Sequence, residues 1–146
     1  MLSQIDGVYT YPFSTIPDDR GMVLKPHKPY FQVEDVYCTT VRKGAIKAWH
    51  GYDTKWLSWT VMSGLVQLVL YDNRPNSLTY EVTDTIFLGV GSYFSVEVPP
   101  GVFNGFKGIS QEDSIILVQA SELYGQITRW PYDTGEIGYN WDTRHG

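Results

Sequence analysis

Short runs of apolar and aromatic residues, separated by turn-forming residues, recur along most of the chain. Each run has the length of a strand, and the pattern predicts strands and not helices. The predicted strands are Val33 to Val41, Lys55 to Met62, Leu65 to Tyr71, Leu78 to Phe87, Tyr93 to Val98 and Ser114 to Ala120. No segment predicts a helix longer than a few turns. We therefore expect an all-β protein, built as a sandwich or a barrel.

Three of these segments carry more detail. Two apolar runs meet at Ser63 and Gly64, which predicts a hairpin over Lys55 to Tyr71. Apolar and polar residues alternate in Tyr93 to Val98, so one face should meet a core and the other a cavity or solvent. The continuous apolar run Ile115 to Val118 suits a strand covered on both faces or a buried helix, and we interpret it as a central strand.

Proline, glycine and asparagine mark the turns between the predicted strands. Asn73 to Ser77 and Val98 to Gly101 predict turns, because proline restricts φ while glycine and asparagine tolerate positive φ. The last segment, Tyr124 to Gly146, is rich in Gly, Asp, Tyr and Trp and shows almost no alternation. We expect it to wrap the edge of the domain.

Length and charge narrow the class of protein. The chain has 146 residues and 16.6 kDa, which predicts one domain over residues 1–146. Its formal net charge is -5 and no basic stripe is present, so nucleic-acid binding is disfavoured. No apolar run approaches the ~20 residues of a membrane span, and the start lacks the features of a signal peptide. We expect a protein of the cytoplasm that does not bind membranes.

The cysteine and histidine counts exclude two further classes. A single cysteine, Cys38, cannot form an internal disulfide. With three histidines, His27, His50 and His145, the chain has too few ligands for a Cys/His zinc cluster. We expect His27 and His145 to be exposed and uninvolved in function.

Five segments in order along the chain carry a resemblance to a known family. They are Asp18 to Gly21 (DDRG), Gly44 to His50 (GAIKAWH), Lys55 to Leu57 (KWL), Gly64 to Ser77 (GLVQLVLYDNRPNS) and Val98 to Phe106 (VPPGVFNGF). Together they resemble the dTDP-4-dehydrorhamnose 3,5-epimerases, which act on dTDP-4-keto-6-deoxy sugars. The resemblance implies a cupin jelly roll, which is a double-stranded β-helix.

The resemblance also implies roles for individual residues. His50 stands where the family has its catalytic base, and Lys55 could place a cation beside the enolate oxygen that forms. Arg20 is expected to contact the diphosphate, across a dimer interface. Lys47 stands where the family has a substrate-binding arginine, and Asn104 replaces a family histidine. Without the resemblance, a histidine such as His50 is most often structural, a lysine at a strand start such as Lys55 is usually a solvated edge charge, and Arg20 is as easily a turn residue as a phosphate ligand.

The sequence departs from the family pattern at the proton donor and at the aspartate that orients the family histidine. Val118 stands where the family has its catalytic tyrosine, and a valine cannot give a proton. The distal aspartate that orients the family histidine is also missing from the sequence after Asp142. A neighbouring Tyr52, Tyr71 or Tyr93 could substitute, and we expect Tyr52 and Tyr71 to be substrate-binding. Otherwise the protein acts at one carbon only, or shifts a carbonyl by proton transfer on one face.

Metal and cofactor binding is not predicted. Many cupins hold a metal through a His-x-His pair, a glutamate and a later histidine. Here the matching positions are His50, Tyr52 and Asn104, without a glutamate nearby. One imidazole does not make a metal site.

These observations favour a sugar-nucleotide epimerase or isomerase of deoxysugar or polysaccharide biosynthesis, with a nucleotide sugar as its ligand. The alternative is a non-catalytic cupin whose aromatic cavity binds a nucleotide sugar or a carbohydrate. A structural or partner-binding jelly roll is a third class, and no feature of the sequence points to it. An exposed sheet edge and the family precedent predict a homodimer with exchange of N-terminal strands.

Overall fold

The computed structural model describes residues 3–142, which form β-strands and no helix. The strands are β1 (Tyr9–Pro12), β2 (Ser14–Asp18), β3 (Gly21–Lys25), β4 (Asp35–Val41), β5 (Ile46–Tyr52), β6 (Leu57–Ser63), β7 (Leu65–Asp72), β8 (Thr83–Gly89), β9 (Phe94–Val98), β10 (Val102–Gly108), β11 (Ser114–Ala120) and β12 (Ile127–Arg129). The predicted all-β class is confirmed. Within residues 3–142 there is accordingly no helix that could cross a membrane. His145 lies outside the described residues.

Two antiparallel sheets of five strands face each other. Sheet I has the order β1-β9-β6-β11-β4, and sheet II has the order β12-β5-β10-β7-β8. Most neighbours within a sheet are far apart in sequence, as when β11 pairs with both β4 and β6. This is the two-sheet arrangement of a jelly roll, in which neither sheet can form without the rest of the chain.

The main core lies between the two sheets. Val96 and Val118 of sheet I and Leu68 and Leu70 of sheet II are almost completely buried there. Each belongs to a strand whose alternate residues point inward. Burying an aliphatic side chain of this size contributes roughly 1.5–3 kcal/mol. The core therefore holds the two sheets together, and a site between the sheets has to lie beside it.

A second, aromatic cluster covers the outer face of sheet II. Its buried members are Trp49, Val69, Tyr71, Phe103 and Trp141. Trp141 belongs to the C-terminal segment, and its Nε1 donates a hydrogen bond to the carbonyl of Tyr132 over 3.1 Å. The segment after β11 therefore adds β12 to the edge of sheet II and then lies over its outer face, in keeping with the predicted wrapping.

The predicted strands agree with the structure where apolar residues are continuous. β11 has the predicted bounds, Ser114–Ala120, and lies inside sheet I between β6 and β4, but it is not covered on both faces as the apolar run suggests, since Ile115 is 40% exposed. The predicted hairpin is formed by β6 and β7, and Gly64 takes a φ of +84° at its turn. The prediction for Leu78 to Phe87 is wrong in its first half, because residues 78–82 form turns and β8 begins at Thr83.

The turn that follows β7 is built around a buried carboxylate. Asp72 is fully buried and accepts hydrogen bonds from Arg74 Nε over 2.8 Å, Ser77 Oγ over 2.6 Å and Thr79 Oγ1 over 2.7 Å. These bonds lower the pKa of Asp72 to about 2, against the opposing effect of burial. The last part of the segment Gly64 to Ser77, which carries part of the family resemblance, is therefore a structural turn.

A hairpin of β2 and β3 forms a separate two-stranded sheet. Nearly all of its residues are exposed, including the apolar side chains of Ile16, Met22 and Val23. A two-stranded hairpin with both faces in water is marginally stable by itself.

Candidate active site

A cavity of about 230 Å³ lies between the two sheets. Its lining residues are Tyr37, Thr39 and Trp59 from sheet I and Lys47, His50, Tyr52, Asn104, Phe106, Ile127 and Arg129 from sheet II. Four of them are site residues that the sequence predicts, namely Lys47, His50, Tyr52 and Asn104. The fold thus brings the predicted base, a cation, a phenol and an amide to one cavity.

A bulge in β5 places Lys47 and His50 on the same side of the strand. In a regular strand, residues three apart face opposite sides of the sheet. Here Asn104 of β10 pairs with His50, and the pairing then skips Trp49. The extra residue turns its fully buried indole into the outer aromatic cluster. As a result, the ammonium and the imidazole share the cavity wall.

The residue between His50 and Tyr52 has to be small. A Cβ on Gly51 would lie 2.1 Å from a ring carbon of Phe103, which packs in the outer cluster. Because neighbouring residues of a strand face opposite sides, His50 and Tyr52 face the cavity while Gly51 faces that ring. The glycine allows β5 to pack closely against the ring of Phe103, with His50 and Tyr52 on the cavity side of the strand.

His50 is half-buried, and its surroundings disfavour the protonated form. Burial is the main cause that lowers its pKa, and the positive charges of Arg129 and Lys47 lower it further. Arg129 pairs with His50 in the register of β12 and β5. Among residues 3–142, no side chain or backbone group forms a hydrogen bond with this imidazole. The imidazole is therefore neutral at neutral pH and able to accept a proton.

Buried polar atoms in the cavity wall have no partner among residues 3–142. They are both amide atoms of Asn104 and the indole Nε1 of Trp59. Asn104 is 1% exposed, and a buried polar group without a hydrogen bond costs about 1–3 kcal/mol. A ligand with hydroxyl or carbonyl oxygens would satisfy these atoms. This is the property of a binding site and not of a packed core.

Two tyrosines from opposite sheets meet at the cavity. The hydroxyls of Tyr37 and Tyr52 are hydrogen-bond partners. Burial raises the pKa of Tyr37 to about 12, with smaller contributions from the charges of Tyr52 and Asp35 and from the hydrogen bond to Tyr52, and burial also raises the pKa of Tyr52. Both phenols therefore keep their protons at neutral pH.

Lys55 lies behind Tyr52 and does not line the cavity. Its Nζ sits 4.7 Å from the centroid of the Tyr52 ring, an attractive cation–π contact. The residue precedes β6 and is 9% exposed. The sequence predicts this ammonium beside the enolate oxygen, whereas in the structure Lys55 contacts the ring of Tyr52 and is not among the residues that line the cavity.

Two predicted binding residues lie away from the cavity. Arg20 is at the tip of the β2–β3 hairpin, 85% exposed, and its guanidinium pairs with Asp18 over 2.5 Å. Tyr71 faces the outer aromatic cluster, since its neighbour Leu70 occupies the inward position on β7. Within the described chain, neither residue lines the cavity that contains His50.

Tyr93, Val118 and His27 all lie outside the cavity. Tyr93 stacks on Phe13, with ring centroids 5.7 Å apart, and does not line the cavity. Val118 is completely buried in the main core. His27 is half-buried and stacks on Tyr11 with centroids 4.0 Å apart, so the expectation that it is exposed is wrong.

Six lining residues are not predicted from the sequence, namely Tyr37, Thr39, Trp59, Phe106, Ile127 and Arg129. Tyr37 and Thr39 lie on β4, at the edge of sheet I, where exposed and half-buried residues show no simple alternation. Arg129 lies in the C-terminal segment, whose composition resembles a loop. Only the pairing of β12 with β5 reveals that this arginine reaches the cavity.

A metal site is not formed by the residues that the structure describes. No group of three or more His, Cys, Asp or Glu side chains lies close enough together to hold an ion within residues 3–142. The cavity offers one imidazole, an amide and two cations, and this is a poor donor set for a metal.

Two curated proteins are similar to the chain over most of its length. The spore coat polysaccharide biosynthesis protein SpsL of Bacillus subtilis (strain 168) is 31% identical over 147 residues, covering 95% of this chain and 97% of that protein. A probable low-salt glycan biosynthesis epimerase of Haloferax volcanii is 28% identical, covering 88% and 90% of the two chains. No protein-family model matches the chain.

Solved structures share the fold. A dTDP sugar isomerase from Desulfovibrio desulfuricans G20 has a TM-score of 0.91 and 25% identity, covering 99% of this chain and 97% of that chain. Two dTDP-4-dehydrorhamnose 3,5-epimerases match with TM-scores of 0.85 and 0.84 at 14% and 16% identity, which shows a common fold. The predicted cupin jelly roll is confirmed.

Proposed function

Because the chain belongs to the dTDP-4-dehydrorhamnose 3,5-epimerase family, we propose that it is an isomerase of a dTDP-4-keto-6-deoxy sugar or a related nucleotide sugar. The reaction is an epimerisation or isomerisation that starts with removal of a proton next to the ketone. The two curated relatives are named for spore coat polysaccharide and glycan biosynthesis, which supports a role in deoxysugar or polysaccharide biosynthesis.

The observation that carries this proposal is a neutral imidazole facing a cavity that also presents two cations. His50 accepts the proton, and the pair of electrons left on carbon moves to the ketone oxygen as an enolate. The positive charges that lower the pKa of His50, those of Lys47 and Arg129, also favour a negative charge on the substrate. The same positive charges thus keep His50 unprotonated and stabilise the enolate that forms when His50 takes the proton.

The polar groups lie at different depths in the cavity, and this difference orients the substrate. Asn104 and Trp59 are buried, whereas Lys47 and Arg129 are exposed at the opening. We therefore place the sugar ring inside, with the amide of Asn104 donating to the enolate oxygen, and the diphosphate outside near the two cations. The cavity of about 230 Å³ is smaller than the ~300–1,000 Å³ typical of whole-ligand pockets, so the nucleoside lies beyond it.

Lys55 supports the site through Tyr52. Its ammonium lies over the ring face of Tyr52, and its charge holds that ring in position at the cavity wall. Tyr52 then contacts the sugar with its ring and its hydroxyl. No cofactor is required for this chemistry.

A homodimer would complete the surface around the cavity. The β2–β3 hairpin exposes Ile16, Met22 and Val23, with exposed fractions of 59%, 49% and 57%. Apolar side chains on a protruding hairpin are suited to burial against a second copy of the chain. In such a dimer Arg20 at the hairpin tip would reach the partner subunit and contact its nucleotide diphosphate.

The test is incubation with dTDP-4-keto-6-deoxyglucose in heavy water, followed by mass and proton spectra. We expect deuterium at a carbon next to the ketone with the wild-type protein and none with His50→Asn. His27→Gln is the matched control, because His27 lies outside the cavity, and it should keep the exchange.

Binding measured on the same samples separates the candidate functions. Exchange that persists in His50→Asn would remove His50 as the base. Binding without exchange in the wild type would favour the carbohydrate-binding alternative. A lack of both would show that the substrate class is wrong.

A further inference from the structure

The residue that faces Val118 across the neighbouring strand is a tyrosine. In the register of β11 and β4, Val118 pairs directly with Tyr37. Directly paired residues of an antiparallel sheet point to the same face, with Cβ atoms about 4.5–5.5 Å apart. The phenol that Val118 cannot supply is therefore present on the same face of sheet I, one strand away.

Tyr37 approaches the cavity from the opposite sheet to His50. Tyr37 lies on β4 of sheet I, and His50 lies on β5 of sheet II, and both line the cavity. A sugar ring between the sheets would have the imidazole on one side and the phenol on the other. Inversion at carbon needs this arrangement, because the proton is removed from one face and returned to the other.

The remaining tyrosines do not meet this requirement. Tyr52 shares a strand with His50 and faces the cavity from the same sheet. Tyr71 lies in the outer aromatic cluster, and Tyr93 packs against Phe13. Of the tyrosines among residues 3–142, only Tyr37 lines the cavity from sheet I.

We propose that Tyr37 is the proton donor that completes inversion, on the face of the sugar opposite His50. This inference rests on the proposed function. The hydroxyls of Tyr37 and Tyr52 are hydrogen-bond partners, and this contact holds the phenol of Tyr37 at the cavity. With Lys55 over the ring of Tyr52, the two phenols and the ammonium form one connected group.

His50 takes a proton from the carbon next to the ketone, and the C–H electrons form the enolate. The carbon then takes the proton of the Tyr37 hydroxyl from the other face, and the enolate electrons return to that carbon as the ketone is restored. The imidazolium gives its proton to water and the phenolate takes one from water, so the enzyme is regenerated without any net change.

The experiment compares exchange with inversion in the Tyr37→Phe variant, using dTDP-4-keto-6-deoxyglucose in heavy water. Proton abstraction by His50 does not need Tyr37, so His50-dependent deuterium incorporation should persist. Inversion should fall by about 100-fold or more, the usual contribution of a positioned acid. Tyr124→Phe is the matched control, since Tyr124 is 84% exposed, and it should retain both activities.

Each outcome has a distinct meaning. Wild-type protein without His50-dependent exchange would overturn the proposed function, and the role of Tyr37 with it. Exchange in the wild type together with normal inversion in Tyr37→Phe would overturn the role of Tyr37 alone. Loss of exchange and inversion in a variant that still melts cooperatively and binds dTDP would show a structural role, and would also overturn it.

A second variant tests the connection to Tyr52. Tyr52→Phe keeps the ring but removes the hydroxyl that contacts Tyr37. Tyr52 raises the pKa of Tyr37 through its charge and through this hydrogen bond, so loss of the hydroxyl should move the alkaline limb of the inversion profile to lower pH. An unchanged profile would contradict the link between the two phenols.

Discussion

Asn104 lies directly opposite His50 in the pairing of β10 with β5, and both side chains face the same cavity. The amide is buried without a hydrogen-bond partner among residues 3–142, while the imidazole is kept neutral by burial and by two nearby cations. A pair of this kind is poorly suited to stabilise the fold and well suited to bind a carbonyl next to an acidic C–H bond.

Removal of the Asn104 amide should affect catalysis and stability in opposite directions. We expect Asn104→Leu to reduce kcat by about 100-fold or more, the cost of losing one donor to an oxyanion. Its melting temperature should stay the same or rise, because the amide has no partner to lose among the described residues. Steady-state kinetics and calorimetry test this, and a large loss of stability would assign Asn104 to the fold.

Removal of the two cations should raise the pKa of His50. Arg129→Gln and Lys47→Gln each relieve repulsion of the imidazolium, so its proton is held to higher pH. The acidic limb of the kcat/KM profile should move to higher pH in both variants. NMR titration of the His50 ring protons measures the shift directly. Lys25→Gln, on the exposed hairpin, is the control, and an equal shift there would argue against local electrostatics.

The buried carboxylate of Asp72 should make stability dependent on pH in the acid range. Its pKa falls from an ordinary 3.8 to about 2 in the folded state, so its contribution is present above pH 3.8. That contribution, roughly 2 kcal/mol, is lost as pH falls from about 3.8 toward 2. Urea unfolding of wild type and Asp72→Asn tests this, with exposed Asp19→Asn as the control. Parallel stability curves for all three proteins would contradict it.

A methyl group at Gly51 should destabilise the fold by about 1–3 kcal/mol through overpacking. The added Cβ would meet the ring of Phe103 at 2.1 Å. A smaller side chain in Phe103→Leu should recover part of the loss in the double variant, which a double-mutant cycle would show as coupling. Gly135→Ala is the control, since no atom lies within 4 Å of a Cβ there. Additive effects of the two substitutions would mean that the ring and the strand do not meet as described.

Charge on the β2–β3 hairpin should abolish the proposed homodimer. Val23→Asp places a carboxylate on the exposed apolar face of β3, where the second copy would bind. Light scattering should then give the monomer mass of 16.6 kDa in place of twice that value. A wild-type protein of monomer mass would remove the dimer from the proposal. Arg20→Gln should weaken nucleotide binding without dissociating the dimer.

The sequence was sufficient to predict the fold class and to place His50 in the candidate site. Strands with a continuous or alternating apolar pattern, such as Ser114–Ala120 and the β6–β7 hairpin, could be predicted because local periodicity shows which residues are buried. His50 could be predicted because the motif around it is contiguous. β5 and β10 were not predicted as strands, because glycine, lysine, histidine and asparagine interrupt their apolar pattern and distant partners hold them in place.

Which side chains share the cavity depends on the tertiary structure. Lys47 faces the cavity because a bulge at Trp49 changes the alternation, whereas Lys55 contacts the ring of Tyr52 and does not line the cavity. Tyr37 and Val118 are 81 positions apart in the sequence and meet through the pairing of β4 with β11. Pairing between strands depends on the register of the whole sheet, so no local pattern could place the phenol of Tyr37 and the imidazole of His50 at one cavity.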